Sequence, residues 1–229
     1  MNAKDKRRRK RHRRKIINIT AVTSLFMIMA AIVVIMILSV LKYHRDAPNG
    51  FAYYTIAPPP ITEMFLTPND YSRPEEPIKK VKGIVIHYTA NPGTSAEANR
   101  NYFENLKSQT KISASSHFVI GLNGEIIQCI PLDEISFASN DRNVDTISIE
   151  CCHPDASGEF SKKTYESLIA LTAWLCSKYN LEEEDILRHY DITGKLCPLY
   201  YVEQEDKWET LKKDVFAYIQ EKEASAELD

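Results

Sequence analysis

The hydrophobic and polar positions divide the chain into three parts. From Ile16 to Leu41, 26 residues carry no charge, and this apolar run follows a strongly basic stretch. Residues 42–80 contain seven prolines, which disfavour both helix and sheet and favour an extended spacer. After residue 80, short apolar runs alternate with segments of helical periodicity, a pattern typical of a folded domain.

The short apolar runs predict β-strands at residues 83–88, 115–121, 126–130, 146–151 and, less regularly, 186–189. The second and third runs are joined by Asn123-Gly124, the pair most favoured in a tight hairpin turn. In the fourth run, Ile147 and Ile149 should share one face while Glu150 lies on the other. Polar residues at the ends of these runs indicate strands that deliver side chains to a site.

Helical periodicity and capping residues predict three helices, at residues 94–107, 161–179 and 207–222. The first opens on Thr94-Ser-Ala-Glu97, a capping box, and the second on Ser161 as N-cap. Strands followed by helices in this order predict an α/β fold. We therefore expect a single domain over residues 81–229, with a central mixed β-sheet flanked by helices, preceded by one N-terminal transmembrane helix.

The transmembrane prediction rests on residues 16–41, since a helix of this length would span the roughly 30 Å hydrocarbon core of a bilayer. The run is too long for the core of a cleaved signal peptide. The basic tail, residues 1–15, should stay in the cytoplasm by the positive-inside rule. This topology predicts a signal anchor in the cytoplasmic membrane, with residues 42–80 as an extracytoplasmic stalk and the folded domain outside. One alternative for the proline-rich stretch is that residues 61–66 pack back on the domain as an arm.

Charge is distributed unevenly along the chain. Residues 1–15 contain ten Lys and Arg and one Asp, so the rest of the chain holds 19 basic and 30 acidic side chains. An acidic body excludes nucleic acid as a general partner. We expect a monomeric domain.

Five cysteines are present, at positions 129, 151, 152, 176 and 197. An odd number leaves at least one thiol outside any disulfide. Cys151 and Cys152 would point to opposite faces of a strand, so a bridge between them is not expected. Cys129 and Cys176 lie in apolar surroundings typical of core thiols. The sequence leaves open whether any pair is oxidised.

Residues with metal-binding or catalytic side chains are concentrated in residues 188–198, a segment with little room for regular structure. His189 and Cys197 offer an imidazole nitrogen and a thiolate, the ligand types that zinc prefers. His87, at the end of a predicted strand, can supply a third ligand and leave one position for water. Glu150 could then act as general acid and base, and Lys195 could support a developing oxyanion. Zn²⁺ held by these three ligands would suit hydrolysis of an amide.

Four separated motifs match one family in the right order. They are His-Tyr-Thr at residues 87–89, Ser-Ser-His-Phe-Val-Ile at 115–120, Ile-Ser-Ile-Glu at 147–150 and His-Tyr-Asp-Ile-Thr-Gly-Lys-x-Cys-Pro at 189–198. Over residues 81–219 the chain resembles the type 2 zinc-dependent N-acetylmuramoyl-L-alanine amidases, a superfamily that includes phage lysozyme-like amidases and peptidoglycan recognition proteins. The resemblance implies a mixed sheet with flanking helices. It also implies zinc on His87, His189 and Cys197, with Glu150 and Lys195 as catalytic residues.

The implied substrate is peptidoglycan or its muropeptides, cleaved between the lactyl group of N-acetylmuramic acid and L-alanine. A muropeptide-binding module without activity is the alternative, although such modules are expected to lose ligands that this chain keeps. Two departures are visible. Residues 137–140 stand where many relatives carry Trp-His-Ala-Gly, and Ser116 stands where some relatives carry a tyrosine, which shifts the catalytic role towards Glu150.

Other polar residues in or near these motifs are weaker candidates. His117 is predicted to be structural or to support the ligands, because three ligands are already assigned. His153 could line the cleft, although an ordinary loop position is the simpler interpretation. Tyr88, Asn91 and Asn140 are further candidates for the cleft.

Overall fold

The computed structural model describes residues 27, 29–39, 56–108 and 111–226, in two units divided at Pro48. In the first unit residues 29–39 are helical (α1) and exposed. Among the described residues, no helix combines the length and the apolar character needed to cross a bilayer. The predicted basic tail, and most of the predicted transmembrane segment at residues 16–41, lie outside the described residues.

The described residues of the second unit form a six-stranded mixed sheet in the order β1-β4-β3-β5-β2-β6. The strands are β1 (Thr62–Glu63), β2 (Ile84–Tyr88), β3 (Phe118–Ile120), β4 (Ile126–Gln128), β5 (Ile147–Cys151) and β6 (Ile186–Arg188). β4 runs antiparallel to β3, and the other neighbouring pairs are parallel. The predicted α/β domain with a mixed sheet is confirmed.

The helices of this unit are α2 (Ala96–Asn105), α3 (Lys162–Tyr179), α4 (His189–Thr193), α5 (Leu199–Glu203) and α6 (Glu205–Ala226). Ser95 caps α2 by accepting a hydrogen bond from the Ala98 N–H, so the helix begins one residue later than a cap at Thr94 would place it. Ser161 caps α3 as predicted.

Helices α4 and α5 differ from the expectation of little regular structure after β6. The Asp191 carboxylate accepts a hydrogen bond from the Arg188 N–H at 2.8 Å, which stabilises the first turn of α4. Gly194 then ends the helix with a positive φ of 77°, a conformation that glycine adopts without steric cost. This single turn holds His189 at the end of β6.

Both faces of the sheet are covered by apolar side chains. On one face, Ile86 and Ile149 pack in a core completed by α3 and α6, and the other face packs against α2. Apolar residues on both faces are typical of the parallel part of a sheet. All five cysteines are buried and free, and no disulfide links them.

The described part of the proline-rich segment packs against the domain. β1 pairs with β4, and the Leu66 N–H continues the pairing by donating to the Cys129 carbonyl at 2.8 Å. Leu66 is 1% exposed and Ile56 is 4% exposed. Residues 56–80 are therefore an arm of the folded unit, the alternative raised for residues 61–66, and the expected boundary at residue 80 does not match the packing. Proline favours extended chain, and extended chain can lie along a sheet edge as well as stand free.

Candidate metal centre

Two neighbouring parallel strands bring the first pair of polar residues together. His87 is the Cα partner of Glu150 in the pairing of β2 with β5. Both alternate with residues of the α3–α6 core, so both side chains lie on the opposite face of the sheet. They stand at the carboxyl ends of their strands, where α/β sheets place their ligand sites.

His189 and Cys197 reach the same place from the turn after β6. β6 pairs with β2, and His189 is the residue that follows it. The Tyr190 N–H donates to the Cys197 carbonyl at 3.0 Å, which folds the chain back and returns the thiol to the histidines. The predicted ligands His87, His189 and Cys197 are all buried, and their ligand atoms lie within 4.8 Å of one another.

The geometry of these three residues fits a bound metal ion. Cys197 Sγ lies 3.8 Å from His87 Nδ1, and the two imidazole rings are 4.8 Å apart between centroids. His189 Nδ1 is buried without a hydrogen-bond partner in the described part of the chain. A buried polar atom without a partner is costly unless a ligand completes it. Two nitrogens and one sulfur are the donor set of a borderline-soft cation such as zinc.

The surroundings of the cluster favour the metal-binding, neutral form of the two histidines but disfavour the metal-binding thiolate of Cys197. Burial, with the neighbouring His189 and Lys195, holds the pKa of His87 well below its ordinary value. Burial and Lys195 lower the pKa of His189 in the same direction, so both rings are neutral and offer lone pairs at pH 7. Burial, and then Glu150, raise the pKa of the Cys197 thiol to about 12. A metal must therefore displace the thiol proton when it binds.

Ser139 and Asn140 contact the Nε2 atoms of the two imidazole rings. Asn140 Oδ1 lies 3.1 Å from His189 Nε2, and Ser139 Oγ lies 3.4 Å from His87 Nε2. Because the amide oxygen can only accept, His189 must donate from Nε2, which leaves Nδ1 as the free lone pair. These contacts come from the segment that departs from the relatives' Trp-His-Ala-Gly. Asn140 was a predicted cleft residue, whereas Ser139 was not singled out by the sequence pattern.

Glu150 has an unusual environment for a carboxyl group. Its Oε2 is buried without a hydrogen-bond partner among the described residues. Burial raises its pKa to about 8, and the charge of Lys195 opposes this shift. A carboxyl group with a pKa near neutral pH can both accept and donate a proton, as a general acid and base must.

Lys195 lies in the short turn between α4 and Cys197, with an exposed side chain. Its positive charge acts on His87, His189, Glu150 and Cys197, which places it beside the cluster. An exposed cation at the rim of a buried site can meet a substrate from the solvent side.

The remaining candidates lie around this centre. His117 is fully buried, and its two ring nitrogens are hydrogen bonded to the backbone of Glu134 and of Ser148, as expected of a structural residue. The ring of His153 packs on Tyr88 at 5.1 Å, and its Nδ1 donates to the Asp155 carbonyl at 2.6 Å. Its Nε2 is buried without a partner in the described ranges. The Asn91 carbonyl accepts from Thr94, in the turn before α2.

The chain is similar in sequence and in fold to several known proteins. A family model described as N-acetylmuramoyl-L-alanine amidase matches residues 77–199. The amidases CwlL of Bacillus licheniformis and BlyA of Bacillus subtilis (strain 168) are each 33% identical over 72% of this chain. A solved structure of a mutant endolysin from Bacillus subtilis is 30% identical, covers 68% of this chain and 98% of its own, and superposes with a TM-score of 0.58.

The chain spans about half the length of the curated relatives it matches, 49% of each. The matched residues nevertheless include the whole arrangement from β2 to Cys197. With more than half of its residues inside the family match, the chain belongs to the N-acetylmuramoyl-L-alanine amidase family.

Proposed function

We propose that the chain is a zinc-dependent N-acetylmuramoyl-L-alanine amidase that hydrolyses the amide bond between N-acetylmuramic acid and L-alanine in peptidoglycan. The observation that carries the proposal is Glu150 Oε2, a buried oxygen without a hydrogen-bond partner among the described residues, next to the cluster of His87, His189 and Cys197. Family membership supports the bond and the substrate class.

The three clustered residues would hold the metal. Bound zinc would supply Lewis acidity, lowering the pKa of a water and polarising the scissile carbonyl. Glu150 would take a proton from the attacking water and deliver it to the amine of L-alanine as that group leaves. Lys195, at the rim, would stabilise the negative charge that develops on the carbonyl oxygen.

The test of this function is mass spectrometry of muropeptides digested by the full chain, purified with detergent and loaded with zinc. The expected products are free stem peptides that begin with L-alanine and glycans that retain the lactyl group. Metal analysis of the same sample should give one zinc per chain. Binding of muropeptides without release of stem peptides would identify a binding module instead, and a metal-free protein would exclude the zinc site.

We also propose that residues 16–41 anchor the protein in the bacterial cytoplasmic membrane, with the domain on the outer side. The charge-free run, its basic flank and the exposed apolar residues of α1 support this topology. Replacing Val34 and Ile35 by lysine should move the protein out of the membrane fraction, because each lysine at the centre of a span costs about 3 kcal/mol. Unchanged fractionation, or protection of the domain from external protease in spheroplasts, would refute this topology.

A further inference from the structure

The connection from β4 to the 3₁₀ turn at Asn140–Val144 carries the two residues that support the imidazole rings. We call residues 129–140 the support loop. Its last part is held locally, because Asn143 Oδ1 accepts hydrogen bonds from the Ala138 and Ser139 N–H groups at 3.0 and 2.6 Å. Phe137 is tied to Ser115 as well, donating to Ser115 Oγ at 2.9 Å and accepting from the Ser115 N–H at 3.1 Å. The contacts of the first part of the loop then set the orientation of the remainder.

The first part of the support loop is held by the arm. Arg73 forms a two-pronged ion pair with Glu134, with Nη2 and Nε at 2.7 and 2.8 Å from the carboxylate oxygens. Both side chains are largely buried, 14% and 15% exposed. The arm backbone adds two bonds, from the Ile78 N–H to the Asp133 carbonyl and from the Ile135 N–H to the Glu76 carbonyl, each 2.8 Å. A bidentate, desolvated arginine–carboxylate pair fixes orientation as well as distance.

The same part of the loop is tied to the catalytic strand through His117. Because a carbonyl can only accept, His117 Nε2 donates to the Glu134 carbonyl at 2.9 Å. His117 Nδ1 then accepts from the Ser148 N–H at 3.0 Å. Burial lowers the pKa of His117 to about 4, which keeps this neutral tautomer at physiological pH. Ser148 lies two residues before Glu150 on β5. Its hydroxyl is also hydrogen bonded to the hydroxyl of Ser136 in the loop, with 2.7 Å between the two oxygens.

We propose that Arg73 is a positioning residue for the metal centre. Acting through Glu134 and His117, it would set the support loop so that Ser139 and Asn140 orient His87 and His189. Arg73 lies outside residues 77–199, the part matched by the family model, so the arm adds a contribution that the family match does not include. The inference rests on the zinc site proposed above.

The experiment measures zinc affinity by chelator competition on the full chain, comparing wild type with R73A, R73K, E134Q and R100A. Arg100 is the matched control because it holds the same arm, donating from α2 to the Met64 and Phe65 carbonyls at 2.9 and 2.7 Å, with no hydrogen bond to the support loop. R73A and E134Q should weaken zinc binding about threefold to tenfold, below the 10- to 100-fold loss typical of residues that bond a ligand directly. R73K should fall between wild type and R73A, since lysine cannot make the two-pronged pair.

Thermal unfolding of the metal-free variants separates positioning from stability. R100A and R73A should both lower Tm, and only R73A should lower zinc affinity. Equal zinc affinity in wild type and R73A, or an equal loss in R73A and R100A, would overturn the positioning role alone. A wild-type chain that binds no zinc would overturn the metal site and the positioning role together.

Discussion

Glu150 and His87 are direct neighbours across parallel strands β5 and β2, with their side chains on the same face of the sheet. One strand pair thus presents a candidate proton carrier and a candidate metal ligand side by side, at a separation that the backbone pairing fixes. This arrangement lets acid–base chemistry and metal binding be altered separately.

Replacing Glu150 by glutamine should remove the proton carrier while keeping its shape. General acid–base groups contribute about 10²–10⁴-fold to rate, so we expect a loss of that size in kcat for release of stem peptides. Zinc content should stay at the wild-type value, because Glu150 is not among the clustered ligands. Activity within a factor of two of wild type would contradict the proposed role.

The same substitution should change how stability depends on pH in the metal-free chain. The pKa of Glu150 is about 8 in the folded protein against an ordinary 4.5, so between these values the folded state keeps a proton that the unfolded state releases. Unfolding free energy should therefore fall as pH rises from 4.5 to 8, by at most roughly 4–5 kcal/mol from this group. Glu150→Gln should lose this component, and denaturant unfolding at pH 5 and 8.5 measures it. A wild-type minus variant difference that is the same at both pH values would count against the raised pKa.

Zinc binding should release a proton from Cys197. Its thiol has a pKa of about 12, so it is protonated at pH 7.5, whereas a zinc-bound cysteine is a thiolate. The lowered pKa values of His87 and His189 mean that both rings are already neutral, so each can bind zinc through a lone pair without releasing a proton. Calorimetry in buffers of different ionisation enthalpy should show about one proton released per zinc. The measurement belongs in the Glu150→Gln background, because Glu150 would release a proton as well, and C197A is the control without a thiol.

Asn140 should contribute to zinc affinity through His189. Removing its amide leaves His189 Nε2 without the partner that fixes the tautomer, which should weaken zinc binding by about 10- to 100-fold. Asn140→Gly is the suitable variant because Asn140 has a φ of 52°, where glycine avoids the strain that alanine would introduce. Asn101, an exposed residue on α2, supplies a matched asparagine-to-glycine control for nonspecific effects on metal binding. An affinity equal to wild type would show that the contact does not orient the ligand.

The sequence predicted the centre better than its surroundings, for a physical reason. His87, His189 and Cys197 are residue types that bind metals, which the sequence shows directly, and strand ends are marked by local hydrophobic pattern. Ser139 has no such mark, since its role depends on a contact with a residue 52 positions away. A hydroxyl of this kind is common in any loop, so only the folded chain shows what it touches.

The sequence left the arm as one of two alternatives for a related reason. Proline content indicates extended chain and does not distinguish a free spacer from a segment laid along a sheet. Which of the two forms the segment takes depends on whether Leu66 is buried against the domain and whether Arg73 pairs with Glu134, 61 residues away. The turn of α4 was missed because a helix of five residues has little periodicity to detect.

The two residues of β1 also protect the rest of the sheet. β1 covers the outer edge of β4, whose backbone would otherwise present unpaired N–H and carbonyl groups to other chains. A fragment that starts at residue 81 would expose this edge together with the apolar surface beneath Leu66. Such a fragment should be prone to intermolecular strand pairing and aggregation, so recombinant versions of the domain should begin before residue 56.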